Sequence, residues 1–178
     1  MTDPPAALPA PEPATGPPFF PVSASKLAVL SICSFGLYQA YWFYRNWRLA
    51  LDARRIWSLP AAILAPLTAY WLFKRVRATL GQHNLPGVTA GGLAALYAAL
   101  TASGLWLPDP WRLAVVLSVV PLVVVQARVN RLNTRVAPDT PRNARHSLGN
   151  VAVIVLGALV WFLVLLYHWP AAPGLGGR

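Results

Sequence analysis

The chain has 178 residues, 56% of them hydrophobic and only 11% charged, against roughly a quarter charged in soluble domains. Its five acidic residues, Asp3, Glu12, Asp52, Asp109 and Asp139, are too few to solvate the surface of a water-soluble domain of this size. The net charge of +10 is spread over the gaps between apolar runs, not along one face; this argues against nucleic acid as a partner and for arginines that hold loops at an anionic membrane surface.

Residues 1–22 hold eight prolines and almost no periodicity, which predicts a disordered or extended tail. No basic region followed by an apolar core opens the chain, so no cleavable signal peptide is predicted. Ser23 is placed to cap a helix starting near Lys26. The first apolar segment runs over 27–44, with Ser31, Ser34 and Gly36 predicting a kink in its middle. The lone cysteine, Cys33, excludes an internal disulfide and reads as a buried, inert thiol.

The run FGLYQAYWFYRNW, residues 35–47, packs seven of the chain's 20 aromatic residues into 13 positions and is followed by Arg48. Apolar, then aromatic, then basic is the order of a helix leaving hydrocarbon through a headgroup belt. Tyr41, Trp42, Tyr44, Arg45, Trp47 and Arg48 are therefore predicted membrane-interface anchors. Tyr41 with Arg45, and Tyr44 with Arg48, are spaced for cation–π contacts along one helix.

A basic connector over 45–56 leads to the second segment, 57–73, where Pro60 suits a first turn and Pro66 predicts a kink. Tyr70, Trp71, Lys74, Arg75 and Arg77 form a second predicted anchor set. Residues 69–77 echo residues 40–48 at an offset of 29, with four of nine positions identical. Selection by the same interface, which favours tyrosine, tryptophan and arginine at any exit, is the simpler explanation of the echo, with an ancient duplication as the alternative. The third segment, 88–107, carries a small-residue stripe, Gly91, Ala95, Ala99 and Ser103, predicted to pack helices closely.

Pro108 and Pro110 flank Asp109 in a predicted turn near Arg112. The fourth segment, 111–125, contains Pro121 and runs into Gln126, Asn130 and Asn133, which share one helical face. With Asn150 at the start of the fifth segment, 151–169, they form a predicted polar network; cross-linking of helices and a polar ligand pocket are the two readings. Residues 170–178 read as a flexible tail.

These elements predict an all-α integral membrane protein, a bundle of about five transmembrane or partly embedded helices within residues 23–169. Five crossings with the N-terminus inside leave nine Lys and Arg inside and six outside. A second segment that dips and returns, with the N-terminal tail outside, gives twelve against three, closer to the positive-inside rule, but requires shielded backbone at membrane depth. Five crossings, with the C-terminus outside, is the expectation carried forward.

No carboxylate lies inside an apolar segment, and His83, His146 and His168 sit at loops or segment ends without metal-ligand spacing. No phosphate-loop, hydrolase or zinc-protease signature occurs. No catalytic, cofactor-binding or metal residue is assigned, and the chain is expected to be neither an enzyme nor a cofactor carrier. The expected role is a scaffold, accessory or lipid-interacting component, with membrane lipids, a second copy or another membrane protein as partner. The alternative is a small oligomeric transporter or channel lined by the amide cluster and the proline-broken second segment.

The 35–47 run resembles the signature of a family of small, uncharacterised multi-pass membrane proteins of bacteria, a domain of unknown function. Shorter matches fall at residues 107–111, 121–126, 129–133 and 149–150, so the resemblance covers about residues 19–168. It implies an inner-membrane protein and supplies no activity.

Overall fold

The structure is a computed structural model and describes residues 16–51, 56–109, 111–141 and 143–168. The described residues form seven α-helices and one longer 3₁₀ helix: α1 (Ala24–Cys33), α2 (Leu37–Ala50), α3 (Ser58–Ile63), α4 (Ala65–Gln82), α5 (Ala90–Trp106), the 3₁₀ helix Trp111–Ser118, α6 (Val119–Val136) and α7 (Leu148–His168). The fold is all-α; an isolated bridge between Val22 and Asn143 is the one β-type pairing among the described residues.

The first apolar segment is not one span. α1 begins at the Ser23 cap, whose Oγ accepts from the Lys26 amide at 3.2 Å, and ends after ten residues. Phe35 then takes a left-handed conformation, φ 51°, followed by Gly36 at φ 90°. The Gly36 amide returns to Ser31 O at 2.9 Å and the Phe35 amide to Ile32 O at 3.2 Å, closing a Schellman motif. Phenylalanine in this conformation costs about 1–2 kcal/mol. Its ring is held against Trp161 of α7, stacked with centroids 5.2 Å apart, and the Trp161 indole donates to Ile32 O at 3.1 Å. At α4 the same motif closes with Asn84 at φ 53°, a residue that tolerates it well.

The second segment is also broken, at Leu64, two residues before Pro66. Pro66 falls in the first turn of α4, where its missing N–H costs nothing. Thr68 Oγ1 donates to Ala61 O at 2.7 Å. Seven residues of straight helix rise about 10 Å, so the bend is sharp: α3 lies against α2 while α4 runs along α5. Pro121 has a similar effect farther on. It cannot donate to Leu117, so regular α geometry begins at Val119 and the preceding turns are 3₁₀.

Contacts at two levels fix the helix directions. At one end, Lys26 of α1 meets Asn143 and Arg145, Asn46 of α2 meets Phe20, and Arg135 of α6 donates to His83 O after α4. At the other level, the α1–α2 turn, the α3–α4 break, Thr101 of α5 and Val115 of the 3₁₀ helix surround one cavity. α1, α5 and α7 therefore run away from the first end, and α2, α4 and α6 run back toward it. Every described lysine and arginine lies toward that end except Arg112, which faces Asp109 at 3.8 Å at the other.

α7 is apolar on all sides and packs along α1, leaving most of its circumference exposed. The helices come close at Gly157, where a Cβ would meet the Cys33 carbonyl oxygen and lie 2.7 Å from Cys33 Cα. Among the described residues two helical stretches are long and apolar enough to cross a membrane, Trp111–Val136 and Leu148–Tyr167.

Candidate functional site

The predicted tail boundary at residue 22 is too late. Phe19, Phe20 and Val22 are fully buried and belong to the main hydrophobic core; residues 1–15 and 170–178 lie outside the described residues. Pro17, Pro18 and Pro21 keep this stretch from forming a helix, so its buried backbone groups need partners from elsewhere. Asn46 Oδ1 accepts from the Phe20 amide at 3.1 Å, and Asn133 Nδ2 donates to Phe19 O at 2.8 Å. Gln126 Nε2 donates to Phe20 O at 3.1 Å and Val22 O at 3.0 Å, and reaches Asn130 Oδ1 at 2.8 Å.

Trp42 sets the orientation of this cluster. Its indole N–H can only donate, so it takes the amide oxygen of Gln126, at 2.6 Å, and turns the amide nitrogen toward the backbone. Gln126, Asn130 and Asn133 thus form a network that holds the chain's own N-terminal segment between α2 and α6. Asn133 Oδ1 has no partner within it. Asn150 is not in the network. Its oxygen, in the amide orientation its neighbours dictate, accepts from Lys26 Nζ at 3.0 Å.

Lys26 forms a second polar centre. It is 3% exposed, and its ammonium donates to Asn143 Oδ1 at 2.8 Å and Arg145 O at 2.7 Å. With Asn150, three neutral oxygens take its three protons. Burial pushes its pKa below the ordinary lysine value. Nothing in the sequence singles out Lys26 for this role, because its partners lie about 120 residues away.

The predicted anchors divide. Trp42 is fully buried and Trp47 nearly so, which corrects their assignment to a membrane interface: both are core residues. Tyr41, Arg48, Tyr70, Trp71, Lys74, Arg75 and Arg77 are exposed, while Tyr44 and Arg45 are half-buried. The spaced pairs form: Arg45 sits 5.8 Å from the Tyr41 ring centre and Arg48 5.7 Å from that of Tyr44, and Arg45 also covers Phe20 at 4.8 Å. The echo does not carry equivalent packing, since Trp42 is 0% exposed and its counterpart Trp71 59%.

The small-residue stripe does no packing of helices within the chain along most of its length. α5 buries Ala90, Ala94 and Tyr97, one position round from the stripe. One residue is about 100° of helix, so Gly91, Ala95 and Ala99 face outward and only Ser103 is partly covered.

A cavity of 290 Å³ lies where the α1–α2 turn and the α3–α4 break meet α5 and the 3₁₀ helix. Gln39 and Ser118 in its wall exchange hydrogen bonds at 3.1 and 3.2 Å. Ser31, also in the wall, is 2% exposed and its hydroxyl has no partner. Among the described residues no group of three or more His, Cys, Asp or Glu could hold a metal ion.

Compared with protein-family models, with curated proteins and with solved structures, the chain matches none.

Proposed function

We propose that this chain is a non-catalytic, multi-pass component of the bacterial cytoplasmic membrane that binds lipid and serves as a scaffold or accessory subunit. The observation that carries this reading is the pairing of an all-apolar, almost uncovered α7 with a molecule whose described cations gather at one end. A 21-residue helix is about 30 Å long, the thickness of a bilayer's hydrocarbon core. The basic end faces the cytoplasm by the positive-inside rule. Tyr41, Tyr70 and Trp71 mark one aromatic belt, and Trp106, Trp111 and Tyr167 the other.

In this topology α5, the 3₁₀–α6 unit and α7 cross, and the C-terminal tail lies outside. α1, about 15 Å long, reaches half-way and α2 returns; α3 and α4 make a second excursion that turns at the same level. Both aromatic-to-arginine runs then end on the cytoplasmic side, and so does the N-terminal segment. Two of the carbonyls freed at the re-entrant turn are bonded, Ile32 O to the Trp161 indole and Ser31 O to the Gly36 amide, which lowers the cost of placing the turn in lipid.

The two broken helix pairs are also a feature of transporters. The path envisaged for transport, along Gln126, Asn130 and Asn133, is however filled by the chain's own backbone. Fractionation tests the membrane assignment: the full chain stays in the bacterial membrane pellet through an alkaline carbonate wash, and release into the supernatant contradicts it. Reconstitution tests the role: liposomes with the wild-type chain show no solute flux above empty liposomes, and a flux abolished by Gln126→Leu in a folded protein favours transport.

A further inference from the structure

We infer that the cavity between the α1–α2 turn and the α3–α4 break is a binding site for a small, neutral, lipid-soluble molecule with one hydrogen-bonding head, such as a hydroxyl or carbonyl. Its volume, 290 Å³, is at the lower end of ligand pockets. Its lining is largely apolar, from Ala62, Ala65, Val115 and Val116, and contains no charged side chain. That excludes an ion or a charged metabolite, whose desolvation nothing in the wall would offset.

The polar groups in the wall are neutral, and they are not equivalent. Gln39 and Ser118 satisfy one another. Ser31 Oγ is buried and bonds to nothing, at a cost that selection for stability alone would remove by alanine. Ser31 Oγ has no accessible surface as it stands, so its side chain must turn about the Cα–Cβ bond toward the cavity for a bound hydroxyl or carbonyl to supply the missing partner. At the cavity's edge stand Phe35, Leu37 and Ile63, all exposed and apolar. A ligand arriving from hydrocarbon meets no polar barrier there. The side of entry rests on the membrane reading; the cavity and its unpaired hydroxyl do not.

The test is photolabelling of the purified full chain in detergent micelles, with a diazirine-bearing octanol and the matching diazirine-bearing octane. Both probes should label cavity-wall peptides, around Ala62, Thr101 and Val115, in excess over the exposed face of α7. Ala40→Phe, at an exposed position on the cavity wall, should abolish that excess for both. Ser31→Ala should weaken saturation by the octanol probe about three- to tenfold, leave the octane probe unchanged, and not lower the melting temperature. Labelling spread evenly over the apolar surface overturns the site, as does an excess untouched by Ala40→Phe. Equal effects of Ser31→Ala on both probes, or none on either, overturn the role of the hydroxyl. Because micelles replace the bilayer, a chain released by carbonate contradicts the membrane reading without deciding these outcomes.

Discussion

The Trp42 indole donates to Gln126 Oε1 at 2.6 Å across 84 positions of sequence, and this bond orients the amide that holds Phe20 and Val22. Gln126→Leu keeps the volume but strands the Trp42 N–H and weakens the satisfaction of two backbone carbonyls. Unpaired buried groups cost about 1–3 kcal/mol each, so the variant should lose at least about 3 kcal/mol in denaturant unfolding in detergent. Trp42→Phe should lose less, and the double variant less than the sum, because both remove one network. Strict additivity would show that the two residues act independently.

Gly157 is one point at which α7 packs closely on α1. Gly157→Ala puts a Cβ against the Cys33 backbone, and backbone cannot move aside as a side chain can. The helices should separate at a cost of about 1–3 kcal/mol. Alkylation of Cys33, half-buried in the native chain, should become faster. An unchanged alkylation rate would mean that α7 does not pack there.

Trp161 does two things at the Phe35 turn, stacking on the ring and bonding Ile32 O. Trp161→Phe retains an aromatic partner and should cost about 1 kcal/mol for the lost hydrogen bond. Trp161→Leu should cost a further 0.5–1.5 kcal/mol or about that for the lost ring pair. Phe35→Gly relieves the left-handed strain while losing the same stack, so its net effect should be small. Thermal unfolding of the three variants ranks them.

Lys26→Met keeps an unbranched side chain but removes every donor to the 143–150 connector. The connector should open to limited proteolysis near Arg145, while the helical circular dichroism is retained. Lys26→Arg should not restore protection, because a planar fork does not match three oxygens arranged around one ammonium. Restoration by arginine would show that charge alone matters.

Local signals in the sequence were reliable where chemistry is local. The Ser23 cap, the Tyr41–Arg45 and Tyr44–Arg48 pairs and the Asp109–Arg112 turn all follow from spacing of four residues or fewer. Pro66 located the second break to within two residues. Composition could not distinguish an aromatic residue at an interface from one in a core, because Trp42 and Trp71 occupy the same motif position and differ only in what packs on them. Nor could periodicity reveal that the first segment turns back. Ser34, Phe35 and Gly36 read as a weak point in one helix, and the partner that stabilises the turn, Trp161, comes from the last helix. The burial of Phe19 and Phe20 was hidden for the same reason: the proline-rich stretch is held by distant partners, the core that takes its side chains and Asn46, Gln126 and Asn133 that meet its backbone.

The central claim is that the first aromatic-to-arginine run returns to the side on which the chain's N-terminal segment lies. Single cysteines in a Cys33→Ala background, probed with a membrane-impermeant maleimide on intact and permeabilised cells, test it directly. Leu49→Cys and Gln82→Cys, both at exposed positions, should react only after the cytoplasmic face is opened. Leu107→Cys, at the far end of α5, should react in intact cells. Reaction of Leu49→Cys in intact cells would mean that the first apolar segment crosses the membrane, and would contradict the account.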